Sequence, residues 1–117
     1  MSIRVLIVDD HAPFRALARQ LLTVDGFDVV GEASDGAGAL RAARDLRPDV
    51  VLLDVQLPDV DGFGVADALA GDSQAPRIVL VSSRARDDYG RLVAESAAHG
   101  FIAKAELSGD TLRLALT

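Results

Sequence analysis

Apolar residues along this chain follow two rhythms: short unbroken runs, and longer stretches in which they recur every three or four positions. Residues 3–8 (IRVLIV) are rich in β-branched side chains and stop at Asp9-Asp10, which predicts a buried strand. A helix is expected next, with Pro13 in its first turn, where a missing N–H costs nothing. Phe14, Leu17, Ala18, Leu21 and Leu22 recur on one face of it, and Gly26 ends it. Residues 27–33 read as a second strand and residues 37–46 as a second helix burying Ala39, Leu40, Ala43 and Leu46. Pro48 then breaks the chain before residues 50–53 (VVLL), a strand that delivers Asp54. The turn-rich Leu57-Pro58-Asp59-Val60-Asp61-Gly62 leads into a third helix over residues 63–69. Pro76 precedes an apolar strand at residues 78–81, followed by a fourth helix around residues 87–98. Gly90 interrupts that helix and makes it the weakest, since interior glycine costs about 1 kcal/mol against alanine. Gly100 starts a last strand over residues 101–103, ending at Lys104, and Ser108 caps a final helix with Asp110 in its first turn.

A β-α alternation repeated five times predicts parallel strands joined by right-handed crossovers, an α/β doubly wound five-stranded sheet. The chain has 117 residues, which suits one domain over residues 1–117. Half the residues are hydrophobic and tryptophan is absent, so the core must come from Val, Leu, Ile and Ala. The formal charge of −6 argues against direct nucleic-acid binding, which needs a basic footprint. Without cysteine, disulfides, thiolate chemistry and Cys-based zinc sites are excluded. The apolar runs are strand-length and the start lacks the regions of a signal peptide, so no membrane contact and a cytoplasmic location are expected.

The chemistry lies in where the polar residues fall. Asp9-Asp10, Asp54, Ser82-Ser83 and Lys104 each follow the C-terminal end of an expected strand. In an open α/β sheet those ends share one edge, and ligands bind there. Three carboxylates, a hydroxyl and an ammonium therefore converge, whereas Ser34-Asp35-Gly36 after the second strand reads as a turn and helix cap. At about 4 Å and an effective dielectric near 20, a like-charged pair costs roughly 4 kcal/mol. Either one acid is protonated or a hard cation sits among them. Oxygen ligands suit Mg²⁺ or Mn²⁺ better than zinc, and such ions also bind phosphate oxygens. An aspartate beside the ion can act as nucleophile and form an acyl phosphate. Lys104 and Ser82 would grip the phosphoryl oxygens at about 1.5–3 kcal/mol each. Together they approach the roughly 5.5 kcal/mol that flips a two-state equilibrium.

These residues, in this order, resemble the receiver domain of bacterial two-component response regulators. The anchors are Val8-Asp9-Asp10, Leu53-Asp54, the segment Leu57 to Gly62, Val81-Ser82-Ser83 and Gly100-Phe101-Ile102-Ala103-Lys104, and the match covers essentially the whole chain. The resemblance implies a flavodoxin-like strand order 2-1-3-4-5. It implies that Asp54 accepts phosphate from a sensor histidine kinase. Magnesium would be held by Asp10, by Asp9 directly or through water, by Asp54 and by the backbone carbonyl of Gln56. Ser82 takes the place of the switch hydroxyl, Lys104 that of the family's lysine, and Phe101 that of an aromatic that changes rotamer. The response would spread over the fourth helix, fifth strand and fifth helix, with a homodimer possible on activation. Val8-Asp9-Asp10-His11 and Gly31-Glu32-Ala33-Ser34-Asp35-Gly36 look most like regulators carrying a helix-turn-helix output domain. No such domain lies within these residues, so a cut chain and a stand-alone receiver are both open. Ala105 stands where many receivers have proline, which makes a cis bond there much less expected. Gln56 and Arg84 occupy positions that tune phosphoryl lifetime in the family.

Blander readings exist for each residue. Asp9-Asp10 can cap a helix, Asp59 and Asp61 read as turn residues, Phe101 as core, His11 as a surface side chain and His99 as a helix terminus. Tyr89, the only tyrosine, falls near the response region. An aspartyl phosphatase would want Asp-x-Asp after the first strand, where this chain has Asp-Asp-His. A nucleotide or flavin module would want a glycine-rich first loop, which is lacking. A degenerate receiver working by protein contact alone would not need the intact acid, hydroxyl and lysine set.

Overall fold

The computed structural model describes residues 2–71 and 74–117. Five strands, β1 (Arg4–Val8), β2 (Asp28–Ala33), β3 (Val50–Asp54), β4 (Arg77–Ser82) and β5 (Gly100–Ala103), form one sheet in the order β2-β1-β3-β4-β5. All four pairings are parallel, as the repeated crossovers require. The helices are α1 (Ala12–Val24), α2 (Gly36–Leu46), α3 (Gly62–Ala70), α4 (Leu92–Glu95) and α5 (Gly109–Ala115).

Alternation along each strand splits the core in two. Val5, Ile7, Val50, Leu52, Val79 and Val81 face α1 and α5, packing on Ala18, Leu22 and Leu112. Leu6, Val8, Val51, Leu53, Ile78 and Leu80 face α2 and α3, packing on Ala39, Val65, Ala66 and Leu69. The central strands are apolar on both faces because both faces are covered.

Short polar residues set the helix ends. Asp35 caps α2 by accepting the Gly38 N–H at 2.6 Å, and Asp61 caps α3 by accepting the Gly64 N–H at 2.8 Å. Asp59 crosses from the β3–α3 loop to accept the Gly36 and Ala37 N–H groups, which holds its carboxyl below the usual range. Ser108 caps α5 through the Thr111 N–H. Gly26, at φ 93°, turns the chain after α1, a conformation open to glycine.

Three expectations need correction. Leu17 is 50% exposed and Leu40 is 40% exposed, each one helical step off its buried stripe, and Ala42 packs inward on α2 instead. The fourth helix does not run over residues 87–98. A 3₁₀ turn (Arg86–Tyr89) is followed by Gly90 at φ 57° and by the single turn of α4. Ser96 then ends α4, its hydroxyl donating to the Val93 carbonyl and accepting the Ala98 N–H. Positive φ at a glycine and a serine bonding its own backbone both compete with a continuous helix. One expectation holds here: no described peptide bond is cis, and after Lys104 the chain makes a 3₁₀ turn (Lys104–Glu106).

Candidate functional site

The ends of β1, β3 and β5 bring Asp9, Asp54 and Lys104 together, as their positions predict. Asp9 is fully buried and Asp54 is 4% exposed, two carboxylates drawn out of water at neighbouring strand ends. The Lys104 Nζ lies 2.6 Å from Asp9 Oδ2 and 3.3 Å from Asp54 Oδ2. The longer contact is a hydrogen bond, and the shorter one is a close ion pair to an oxygen of the fully buried Asp9. The Asp54 carboxylate is steadied from the other side by the Gln56 N–H, 3.1 Å from Oδ1.

Burial is the main force raising the Asp54 carboxyl above its ordinary value; the Asp9 charge adds to it, while the Gln56 N–H and Lys104 oppose it. For Lys104, burial works toward a lower value but is overcome by Asp9 and Asp54, which hold the ammonium proton more tightly than usual.

Asp10 stands at the mouth, its side chain 36% exposed, with the His11 Nδ1 3.1 Å from its Oδ1. The His11 side chain is exposed, as expected, while its backbone N–H donates to Asp9 Oδ1 at 2.8 Å. Asp9, Asp10, His11 and Asp54 each offer one ligand atom, all within 4.8 Å of one another. One ammonium, paired with Asp9 and Asp54, stands against three clustered carboxylates and leaves the cluster net negative. The cluster is therefore compatible with a divalent cation, and its oxygen-rich donor set suits a hard one.

Ser82 ends β4, 2% exposed, and its Oγ accepts the Arg84 N–H at 3.0 Å. It also bonds the Tyr89 hydroxyl, which the sequence did not reveal as part of the site. Phe101 lies half-buried against the Tyr89 ring. Phe14 is a second addition. Read from its helical spacing as core, it also places its ring face 4.6 Å below the Lys104 Nζ, a cation–π contact that favours the charged lysine. Ser83 is exposed and takes no part in the described bonds of the site.

The loop carrying Gln56 closes through Gly62, whose N–H donates to the Val55 carbonyl at 2.6 Å. A Cβ on Gly62 would sit 2.4 Å from the Asp54 carbonyl oxygen and 2.8 Å from Val55 Cα. Both are backbone atoms of the strand end that presents the Asp54 side chain. Gly62→Ala is expected to cost about 2–3 kcal/mol, read as a lower urea midpoint at unchanged slope. Gly64→Ala, whose Cβ would meet nothing closer than 3.4 Å, is expected to cost nothing. Equal losses in the two variants would show that the close approach does not matter.

A family model described as the response regulator receiver domain matches residues 5–116. The chain is 51% identical over 82 residues to protein-glutamate methylesterase/protein-glutamine glutaminase 5 of Myxococcus xanthus, covering 69% of this chain and 24% of that protein. It is 33% identical over 101 residues to the DNA-binding transcriptional activator EvgA of Escherichia coli, covering 86% of this chain and 50% of the activator. Among solved structures, the signal receiver domain of the putative response regulator NarL from Mycobacterium tuberculosis superposes with a TM-score of 0.86 at 33% identity, covering 98% of this chain and 97% of that one. The chain thus spans half or less of the length of these two curated relatives.

Proposed function

Because this chain belongs to the response regulator receiver domain family, we propose that it is a phosphoacceptor switch whose Asp54 is phosphorylated by a sensor histidine kinase in a Mg²⁺-dependent reaction. One observation carries the reading. Asp54 is a nearly buried carboxylate with one oxygen tied to the Gln56 N–H and the other turned toward Lys104, beside a metal-ready acid cluster. An oxygen of Asp54 attacks the phosphorus of the donor, the donor's P–N or P–O bond breaks, and an acyl phosphate forms. Asp9, Asp10, Asp54 and the Gln56 carbonyl would hold the magnesium, which neutralises the acids and shares phosphoryl oxygens when bound. Lys104 then moves its charge from the acids to the phosphoryl oxygens, and the Ser82 hydroxyl donates to another.

The receiver is a signalling switch rather than a turnover enzyme, with at most hydrolysis of its own acyl phosphate. The response is expected over the 3₁₀ turn, α4, β5 and α5, where Phe101 lies and where a homodimer would form on activation. The output is read as transcription control by a domain outside this chain, in line with the DNA-binding relative. Residues 1–117 act as one domain and do not touch nucleic acid themselves. Among the described residues no helix is long and apolar enough to cross a membrane. A cytoplasmic location follows from the kinase partner.

The direct test is intact mass. Incubation with a small phosphodonor and Mg²⁺ should add one phosphoryl group, and EDTA should prevent it. Equal labelling with and without EDTA would remove the metal from the mechanism, and no labelling at all would remove the phosphoacceptor role.

A further inference from the structure

Ser82 is already engaged before any phosphoryl group arrives. Its Oγ accepts the Arg84 N–H at 3.0 Å and shares a 2.5 Å hydrogen bond with the Tyr89 hydroxyl, in which either oxygen can donate. These bonds run to the β4–α4 loop; none among the described residues joins Ser82 to Asp54 or Lys104. The Tyr89 ring is fixed in turn. Phe63 of α3 meets it edge-on with centroids 5.8 Å apart, and Phe101 of β5 lies at 6.0 Å. Gly90, at φ 57°, follows directly and marks the break between the 3₁₀ turn and α4.

We propose that Tyr89 is a positioning residue for the phosphoacceptor site: its hydroxyl holds Ser82 on the loop side, and phosphorylation of Asp54 releases it. The inference rests on the phosphoacceptor reading above. A serine hydroxyl has a single proton, and a phosphoryl oxygen can only accept. With Ser82 as the donor to Tyr89, the arrangement this proposal takes, it must leave Tyr89 to donate to the phosphoryl group. The tyrosine, freed at its hydroxyl, then loosens from the rings that clamp it. Because one of those rings is Phe101, the same exchange carries the event to β5. Tyr89 thus sets how readily Ser82 is available, and Phe101, which has no hydroxyl, reports the exchange without taking part in it.

The chain has one tyrosine and no tryptophan, so its near-ultraviolet emission reports Tyr89 alone. The probe is beryllofluoride with Mg²⁺, a stable mimic of the phosphoryl group. Its saturation should shift the tyrosine emission of the wild type but not that of Ser82→Ala, in which the bond is already lost. Tyr89→Phe keeps the ring and should tighten beryllofluoride binding about fivefold, the factor set by one typical net hydrogen bond. In the Ser82→Ala background the same substitution should change nothing, since no bond remains to remove. A merely structural tyrosine would give equal effects in both backgrounds, and that result overturns the proposal. So does unshifted wild-type emission while fluorine NMR shows the probe bound. Should Tyr89→Phe lose its native circular dichroism, the emission comparison of wild type with Ser82→Ala decides alone. A wild type that takes neither probe nor phosphoryl group overturns the phosphoacceptor reading itself, and this inference with it.

Discussion

Asp54→Asn is expected to abolish phosphoryl uptake and, in the same protein, to raise the stability of the metal-free fold. Loss of uptake follows from chemistry, because an amide oxygen is not a usable nucleophile toward phosphorus. The gain in stability follows from the site's electrostatics. Burial disfavours the Asp54 charge most and Asp9 adds repulsion, while the Gln56 N–H and Lys104 offset them only in part, so removing that charge relieves more than it loses. On Coulomb magnitudes the net gain is on the order of 1–2 kcal/mol. The asparagine oxygen can still accept the Gln56 N–H, so the loop need not move. The pH dependence has a definite sign. The folded-state value of Asp54 is raised above 3.8, chiefly by burial, so the native state holds that proton more tightly than the unfolded chain. The contribution of Asp54 to wild-type stability in EDTA therefore falls as pH rises from about 4 through the raised value, and its penalty is fully present above it. Asp54→Asn should flatten that segment. Urea melts at a series of pH values, beside intact mass with a phosphodonor, read both effects. An asparagine variant that gains mass like the wild type, or melts lower at neutral pH, would refute the assignment.

Much of this arrangement could be read from the residues because it is dictated by topology. Val5 to Val8, Val50 to Leu53 and Ile78 to Val81 are apolar on both faces, and only a covered parallel sheet leaves such runs buried. Once those strands are parallel, the polar residues that end them must share an edge, and Asp9, Asp54 and Lys104 meet without any further information. The failures sit where local bonding outweighs periodicity. Residues 87–98 carry apolar positions at helical spacing, yet Gly90 and Ser96 turn the chain through backbone conformations that spacing does not encode. Tyr89 reaches Ser82 from seven residues away across an irregular loop, so nothing in the pattern links them. Phe14 fits a core stripe and is core; its second face, under Lys104, becomes visible only when α1 is placed over the end of β1.

Lys104→Met should destabilise the metal-free protein by about 3 kcal/mol at neutral pH, the low end for removing one partner of a buried ion pair. The lysine side chain is only 16% exposed, and the two acids it touches are fully buried and nearly so. Without it, Asp9 and Asp54 face each other with no counter-charge, and the two influences of Lys104 that lower the Asp54 carboxyl disappear. That carboxyl should rise further, so the deficit should shrink as pH falls and the acids take up protons. The lysine's own titration does not enter this range. Its folded value lies above 10.5, so its contribution is complete below that point and fades only as pH climbs through the folded value. Saturating Mg²⁺ should return most of the lost stability, because a divalent ion supplies the missing positive charge to the same oxygens. Adding Asp54→Asn to Lys104→Met should do so without metal, by removing one of the unpaired acids. Recovery along both routes identifies uncompensated negative charge as the defect. A lost contact of another kind, such as that of the ammonium over the Phe14 ring, would respond to neither. Lys104→Met as stable as the wild type in EDTA would show that the ammonium does not hold these carboxylates together.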